Sequence, residues 1–308
     1  MEALRQISER ARAKINLSLD VLRRRPDGYH EVRMIMQSLV LCDDVVLTRI
    51  PAEEVGGEPI RLQITEARGQ AEGSVSVLPA DASNLMWRAA ALLREHCGIA
   101  DGVSMQLTKR IPVAAGLAGG STDAAAVLRG MNRLFALGLS AEQLTALGLR
   151  LGADVPYCLQ GGTMLAEGIG ERLSALAPAP ACGVLLVKPK RGVSTGAVYS
   201  ALHVETLPNV AHPDVDHVLA AIEAGDLQAL CGGLGNVLET VTVRQVPEIG
   251  AIKARLSEQG ADGVLMSGSG PTVFALFSDA KKMHAAAEDI RQSALLPLIS
   301  DVIETAFD

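Results

Sequence analysis

The hydrophobic pattern changes character several times along this chain, and each change predicts an element. In ARAKINLSLDVL (11–22) apolar residues alternate after Lys14, at Ile15, Leu17, Leu19 and Val21, which is the two-residue period of a strand. RRRPDGYH (23–30) interrupts it with a turn, because proline fixes φ and the following Asp-Gly is permissive. EVRMIMQSLVL and DVVLTRI predict further strands, and the Gly-, Glu- and Ala-rich residues 51–80 predict exposed strands and loops. SNLMWRAAALLREHC (83–97) switches to a helical period: Leu85, Ala89, Leu92 and Leu93 share roughly one face, and Ser83 is placed to cap it. VSMQLTKRIP (103–112) returns to a strand, closed by its proline. A Gly-rich loop and a small-residue helix follow, and Ser140 with Gln143 forms a capping box for another helix.

In the second half, LAPAPACG (176–183) reads as a connection between domains or between strands. CGVLLVKP (182–189) predicts a strand, and helices are expected around 195–203, 214–231 and 248–259. MSGSGPTVFALF (266–277) predicts a Gly-rich turn into a buried strand, and KKMHAAAEDIRQ (281–292) a helix. The chain has no internal repeat and no heptad run. Strict βαβ units are too few for a doubly wound sheet, so the expected class is α+β, with antiparallel strands and laterally packed helices.

With 308 residues the chain can bury a substantial core and is expected to form two domains. Aromatic residues make up only 3%, so that core must be built from Ala, Leu, Val and Ile. The net charge of −7 argues against an extended nucleic-acid-binding face, while leaving room for a local basic pocket. Five cysteines, at 42, 97, 158, 182 and 231, include no CxxC, so neither a disulfide scaffold nor a zinc knuckle is expected. The N-terminus lacks the apolar core of a signal peptide, and no apolar stretch reaches the length of a membrane span. These features lead to an expectation of a cytoplasmic protein with no membrane partner.

The chemistry concentrates in PVAAGLAGGSTDAAAVLRG (112–130). Gly116, Gly119 and Gly120 leave room for backbone N–H groups to approach a ligand, and a loop of this kind running into a helix suits an anion. Ser121 and Thr122 can cap the helix, touch a phosphate or ligate Mg²⁺. A capped helix after a tight turn is the other reading, though that needs only two of the three glycines. GxxxxGK[ST] is absent, and neither GGLGNV (232–237) nor GSGPTV (268–273) completes a GxGxxG, which disfavours P-loop and dinucleotide-binding proteins. A bound triphosphate would then need another lysine, with Lys14 and Lys109 as candidates. Asp154, in LGADVPYC, is either a solvated turn residue or a base that orients an alcohol; Pro156 is expected to block regular helix there.

Together these motifs resemble the galacto-, homoserine, mevalonate and phosphomevalonate (GHMP) kinase superfamily. They are most similar to the branch that acts on a methylerythritol bearing cytidine diphosphate. AKINLSL (13–19), RPDGYHEV (25–32), SNLM (83–86), KRIPVAAGLAGGSTDAA (109–125), LGADVPYCLQGG (151–162), AEGIGE (166–171) and SGSGPTVFA (267–275) carry the likeness, which runs from about residue 11 to 277. It implies a two-domain fold: an N-terminal domain (1–165) like the second domain of ribosomal protein S5, which 293–308 could complete, and a ferredoxin-like C-terminal domain (166–292). It also implies ATP-dependent phosphorylation of the acceptor's 2-hydroxyl, with Mg²⁺, by a monomer or weak homodimer.

The resemblance assigns roles residue by residue. Lys14 and Asp154 become catalytic: Asp154 accepts or orients the hydroxyl proton, and Lys14 offsets charge on the moving phosphoryl group. Asn84 and Lys109 fall near the adenine or its ribose. Pro112, Val113, Ala114, Ala115, Gly116, Leu117, Ala118, Gly119, Gly120, Ser121 and Thr122 form the phosphate loop, with Ser121 a Mg²⁺ contact. Asn16 touches the sugar alcohol, Tyr29 and His30 grip the cytosine, and Tyr199 supplies a second aromatic face. Gly268, Ser269 and Gly270 match a third motif near the acceptor. The chain departs from the family at Arg12, where a proline is usual, and at Ala114, Ala115 and Ala118, where many members have a further glycine. The alternatives are another small-alcohol kinase of the superfamily and a non-catalytic nucleotide-binding protein. The Tyr29-His30 turn speaks against the first, and Lys14 with Asp154 against the second.

Overall fold

A computed structural model describes residues 4–66 and 78–308, so part of the expected 51–80 region lies outside the described residues. In chain order the strands are β1 (Gln6–Arg24), β2 (His30–Ile50), β3 (Ile60–Glu66), β4 (Gly102–Lys109), β5 (Thr163–Gly168), β6 (Arg172–Ala175), β7 (Gly183–Pro189), β8 (Gly235–Asn236), β9 (Gly263–Met266), β10 (Val273–Phe277) and β11 (Ile299–Ala306). The helices are α1 (Leu85–Cys97), α2 (Gly119–Leu134), α3 (Ala141–Leu149), α4 (Val155–Gln160), α5 (Thr195–Ala201), α6 (Val215–Ala224), α7 (Leu227–Gly232), α8 (Glu239–Gln245), α9 (Glu248–Glu258) and α10 (Ala280–Gln292).

The chain divides into two compact units that interleave along the sequence. One comprises residues 1–13, 41–113 and 118–160, the other residues 14–40, 114–117 and 161–308. Strands β1 and β2 therefore run through both.

In the first unit β4 lies between β3, which it pairs in parallel, and the second half of β2, which it pairs antiparallel from Asp44↔Thr108 to Ile50↔Gly102. Strand alternation turns Val103, Met105 and Leu107 of β4 and Val45 and Leu47 of β2 inward. Helix α2 packs against α1, α3 and α4. Its small side chains permit close approach: a Cβ on Gly130 would lie 2.3 Å from Leu47 Cδ1. The expected capping box is present, Gln143 N donating to Ser140 Oγ while Ser140 N donates to Gln143 Oε1.

In the second unit β5 pairs with the first half of β2, from Val32↔Gly168 to Gln37↔Thr163, and with β6; β8 adds to β1 in parallel. A separate antiparallel sheet runs β11-β7-β10-β9. Every residue of β10, an interior strand, is buried, and Phe274 and Phe277 are among the largest fully buried side chains.

Several expectations change in detail. The two strands expected over 31–50 are one, and β1 starts earlier than 11. Helix α1 is capped by Asn84, because the Ser83 hydroxyl donates instead to Asp81 Oδ1; its buried face is Met86, Ala89, Ala90 and Leu93. The helix expected over 214–231 is two, since Gly225 takes φ 67° and ends α6 while Asp226 caps α7. Pro156 does not block helix: it lies in the first turn of α4, where its missing N–H has no intrahelical acceptor to lose. The 176–183 segment joins β6 to β7 within the second unit, and the tail forms β11 there, against β7.

The aromatic load on β10 gives the first prediction. Phe274→Ala should lower the unfolding free energy by about 3–5 kcal/mol, because the cavity adds to the lost burial. Urea denaturation would show this as a lower midpoint at unchanged slope.

Candidate active site

The 112–118 loop is shaped by its backbone. Ala114, Gly116 and Ala118, alternate residues, take positive φ of 50°, 73° and 56°. For alanine such a conformation costs about 1–2 kcal/mol. Alternation of this kind turns successive N–H groups toward one side, the geometry of an anion nest. Gly116 is required twice over: besides its φ, a Cβ there would lie 2.3 Å from the Ser267 carbonyl oxygen. Ser267 Oγ donates to Gly116 O (2.9 Å), and Lys14 N donates to Leu117 O (3.2 Å).

Helix α2 follows with Ala118 at its N-cap, a residue whose side chain cannot cap it. Ser121 and Thr122 were expected as possible caps. They lie inside the first turn instead, Thr122 buried and its N–H bonded to Ala118 O (2.9 Å). The helix start thus offers N–H groups without a side-chain cap, where an anion is favoured. Gly119 and Gly120 are already helical, with no unusual φ. Gly119 leaves space for Lys109, whose Nζ would lie 3.0 Å from an added Cβ.

Lys109, expected on the nucleotide side, is held by two acidic side chains. It continues the inward row of Val103, Met105 and Leu107, and its ammonium sits between Asp43 Oδ2 (2.5 Å) and Asp123 Oδ2 (2.8 Å), with only 6% of its side chain exposed. Asp43 Oδ1 also accepts from Arg110 N (2.5 Å) and Ile111 N (2.8 Å). The cluster joins β2, the end of β4 and the first turns of α2, anchoring the chain on both sides of the loop. Burial alone would lower the Lys109 pKa, but the two carboxylates outweigh it and hold the ammonium above its ordinary value. Burial pushes the Asp123 carboxyl up from an ordinary 3.8 to about 8; Lys109 pulls against that shift and the Asp43 charge adds to it. Asp123 Oδ1 has no hydrogen-bond partner. Asn84 caps α1: its Oδ1 accepts from Met86 N and its Nδ2 donates to Pro79 O. Asp154 is half-buried at the head of α4, where its carbonyl accepts from Cys158 N (3.1 Å).

In the second unit Lys14 and Asn16 project from the buried face of β1. Lys14 Nζ donates to Asn16 Oδ1 (2.8 Å), and Asn16 Nδ2 donates to Met34 Sδ (3.3 Å). The 267–270 turn lies against them: a Cβ on Gly268 would be 3.4 Å from Asn16 Oδ1 and 3.6 Å from Lys14 Nζ. Ser269 Oγ is 2.9 Å from Thr195 Oγ1.

The RPDGYH turn is tied by Gly28 N donating to Arg25 O, Arg25 N to Tyr29 O, and Tyr29 N to Asp27 Oδ1. This leaves Tyr29 60% exposed on a fixed backbone. The His30 ring touches that of Tyr199, with centroids 5.3 Å apart and planes tilted by 43°. Burial holds the His30 imidazole below its ordinary pKa, and Arg24 adds to the effect.

Three comparisons with known proteins bear on this arrangement. The GHMP kinases N terminal domain matches residues 84–162 and the GHMP kinases C terminal domain residues 218–294. A 4-diphosphocytidyl-2-C-methyl-D-erythritol kinase from Geobacillus thermodenitrificans is 48% identical over 286 residues, 93% of each chain. The chain belongs to the GHMP kinase family. A crystal structure of 4-(cytidine 5'-diphospho)-2C-methyl-D-erythritol kinase superposes with a TM-score of 0.75 at 34% identity, covering 98% of this chain and 99% of that one. The homoserine kinase of Cytophaga hutchinsonii has a TM-score of 0.76 at 21% identity, covering 97% and 94%, which shows the shared two-domain α+β fold alone.

Sequence reasoning missed Asp43 and Asp123, yet a signal existed. Asp43 and Lys109 are each in phase with an inward apolar row, on strands expected to be buried, and a charge there requires a partner.

The cluster makes stability depend on pH in a defined direction. Folded, Asp123 keeps a proton that the unfolded chain sheds above 3.8, so stability should fall as pH rises from about 4 to about 8. Asp123→Asn should flatten the profile across that window. Urea midpoints for both proteins at pH 5, 6.5 and 8 would show it, and parallel profiles would place the titration elsewhere.

Proposed function

We propose that this chain transfers the γ-phosphoryl group of ATP to the 2-hydroxyl of 4-diphosphocytidyl-2-C-methyl-D-erythritol, giving the 2-phosphate and ADP. The observation that carries the reading is the nest at 114–118 running into an uncapped helix, in a chain 48% identical to an enzyme of that name. The fixed Tyr29 turn, with His30 braced by Tyr199, favours an acceptor that carries a base over a bare alcohol.

In this mechanism the loop and the first N–H groups of α2 cradle the phosphates. Asp154 accepts or orients the proton of the attacking hydroxyl, and Lys14 offsets charge on the phosphoryl group in flight. Asn16 contacts the methylerythritol, and the cytidine end, held remotely against Tyr29, places the reacting oxygen. Among the described residues no group of three or more His, Cys, Asp or Glu could hold a metal ion. That fits Mg²⁺ carried mainly by phosphate oxygens and water, with the Ser121 hydroxyl as the protein's ligand. Bound there, Mg²⁺ would neutralise charge on the phosphates.

No helix among the described residues is long and apolar enough to cross a membrane, and no disulfide links the five cysteines. We place the reaction in the cytoplasm, carried out by a monomer or weak homodimer.

Asp154→Asn should keep ATP binding while kcat falls about 10²–10⁴-fold, since an amide cannot take the proton. Steady-state assays decide this, and a kcat within about threefold of the parent would remove Asp154 from the mechanism.

Tyr29→Ala should raise the acceptor KM about 5–150-fold, the equivalent of a lost base stack, with the KM for ATP nearly unchanged. Assays against mevalonate and homoserine complete the test. Efficient phosphorylation of either would leave only the broader reading of a small-alcohol kinase.

A further inference from the structure

The Gly-rich stretch at 232–237 matches no nucleotide fingerprint, and nothing above uses it. It leads into GNVLETVT, whose polar side chains converge on one turn. Asn236, buried at the end of β8, donates from Nδ2 to the carbonyls of both Met266 and Gly268, each at 2.8 Å. Its Oδ1 accepts from Leu238 N (3.0 Å), which fixes the amide's orientation. Glu239, both of whose carboxylate oxygens accept from Lys253 Nζ, also accepts at Oε1 from Met266 N (2.8 Å). Thr242, fully buried on α8, donates from Oγ1 to Ser269 O (3.1 Å). Its methyl would lie 3.1 Å from a Cβ on Gly270.

The turn between β9 and β10 does not need these bonds to close. Ser267 N already donates to Thr272 O and Gly270 N to Ser267 O. The side-chain bonds instead fix individual peptide planes. In a trans peptide the N–H points opposite to the preceding carbonyl, so holding Gly268 O toward Asn236 aims the Ser269 N–H away from it. On its other side this turn meets Lys14, Asn16 and Gly116.

We infer that Asn236, Glu239 and Thr242 form a clamp that sets where the 267–270 turn stands against Lys14 and Asn16, making them positioning residues for phosphoryl transfer. This rests on the reaction proposed above. They touch no reacting atom, and their effect passes through the turn.

The test compares the parent with Thr242→Val, Thr242→Ser and Asn236→Asp. Valine matches the shape of threonine and removes only the hydroxyl; serine keeps it. The aspartate keeps the bond from Leu238 N but turns a carboxylate oxygen on two carbonyls. Thr242→Val should lower kcat about tenfold and Asn236→Asp about tenfold to a hundredfold, as expected for small misplacements near the chemistry. Thr242→Ser should restore most of the parent rate. Calorimetric ATP titration should give the parent's stoichiometry and affinity for every variant, which a loss of folded protein would not. A kcat for Thr242→Val within twofold of the parent, or a loss matched by an equal loss of ATP-binding sites, would overturn the inference. An inactive parent would overturn the reaction itself, and the inference with it.

Discussion

An ammonium group withdrawn from water must find its partners where it stands, and Lys109 meets that demand with the side chains of Asp43 and Asp123. Much of the first unit follows from this. Asp43 must face inward from β2, and its second oxygen takes up the Arg110 and Ile111 N–H groups as β4 ends. Asp123 must face the ammonium from α2, and Gly119 leaves it room, since an added Cβ would lie 3.0 Å from Lys109 Nζ. With both flanks of the 112–118 loop secured, its backbone can hold positive φ at two alanines, a conformation a loose loop would relax out of. Breaking such a cluster by removing one member costs far more than never having built it, so its value lies in place and shape.

The second unit solves a similar problem with neutral groups. Its 267–270 turn is gripped by an amide, a carboxylate and a hydroxyl bonded to backbone atoms, and the turn lies beside Lys14 and Asn16. In each case buried side chains hold backbone next to or within a turn. That suits a reaction in which the protein contributes placement and charge, with no covalent intermediate on its own residues.

Much of this was legible in the sequence. The strand through Lys14 and Asn16, the turn presenting Tyr29, the loop at Gly116 and the buried strand after Gly270 all follow from period and turn chemistry. Ser83 reads as the cap of α1 in place of Asn84 because two candidate caps stand side by side, and only the Asp81 carboxylate, which engages Ser83, chooses between them. The partners of Lys109 were not foreseen because they lie 66 residues before it and 14 after it, a separation that hides them until the strand pairing is known. Helix α8 was not foreseen: of its residues only Thr242 is buried, so no apolar stripe marks it.

The interleaving of the units has a consequence for how the molecule is made. The chain passes between them at 13/14, 40/41, 113/114, 117/118 and 160/161, so no single cut separates one from the other. As the chain leaves the ribosome, every segment of the first unit is in hand once Gln160 has emerged, by which point residues 14–40 of the second have also been made. That span must wait for β5 and β8, and β7 acquires its outer neighbour only when β11 at Ile299–Ala306 appears. Strand edges therefore stand open for much of translation, the condition under which a nascent chain depends most on being shielded from its neighbours.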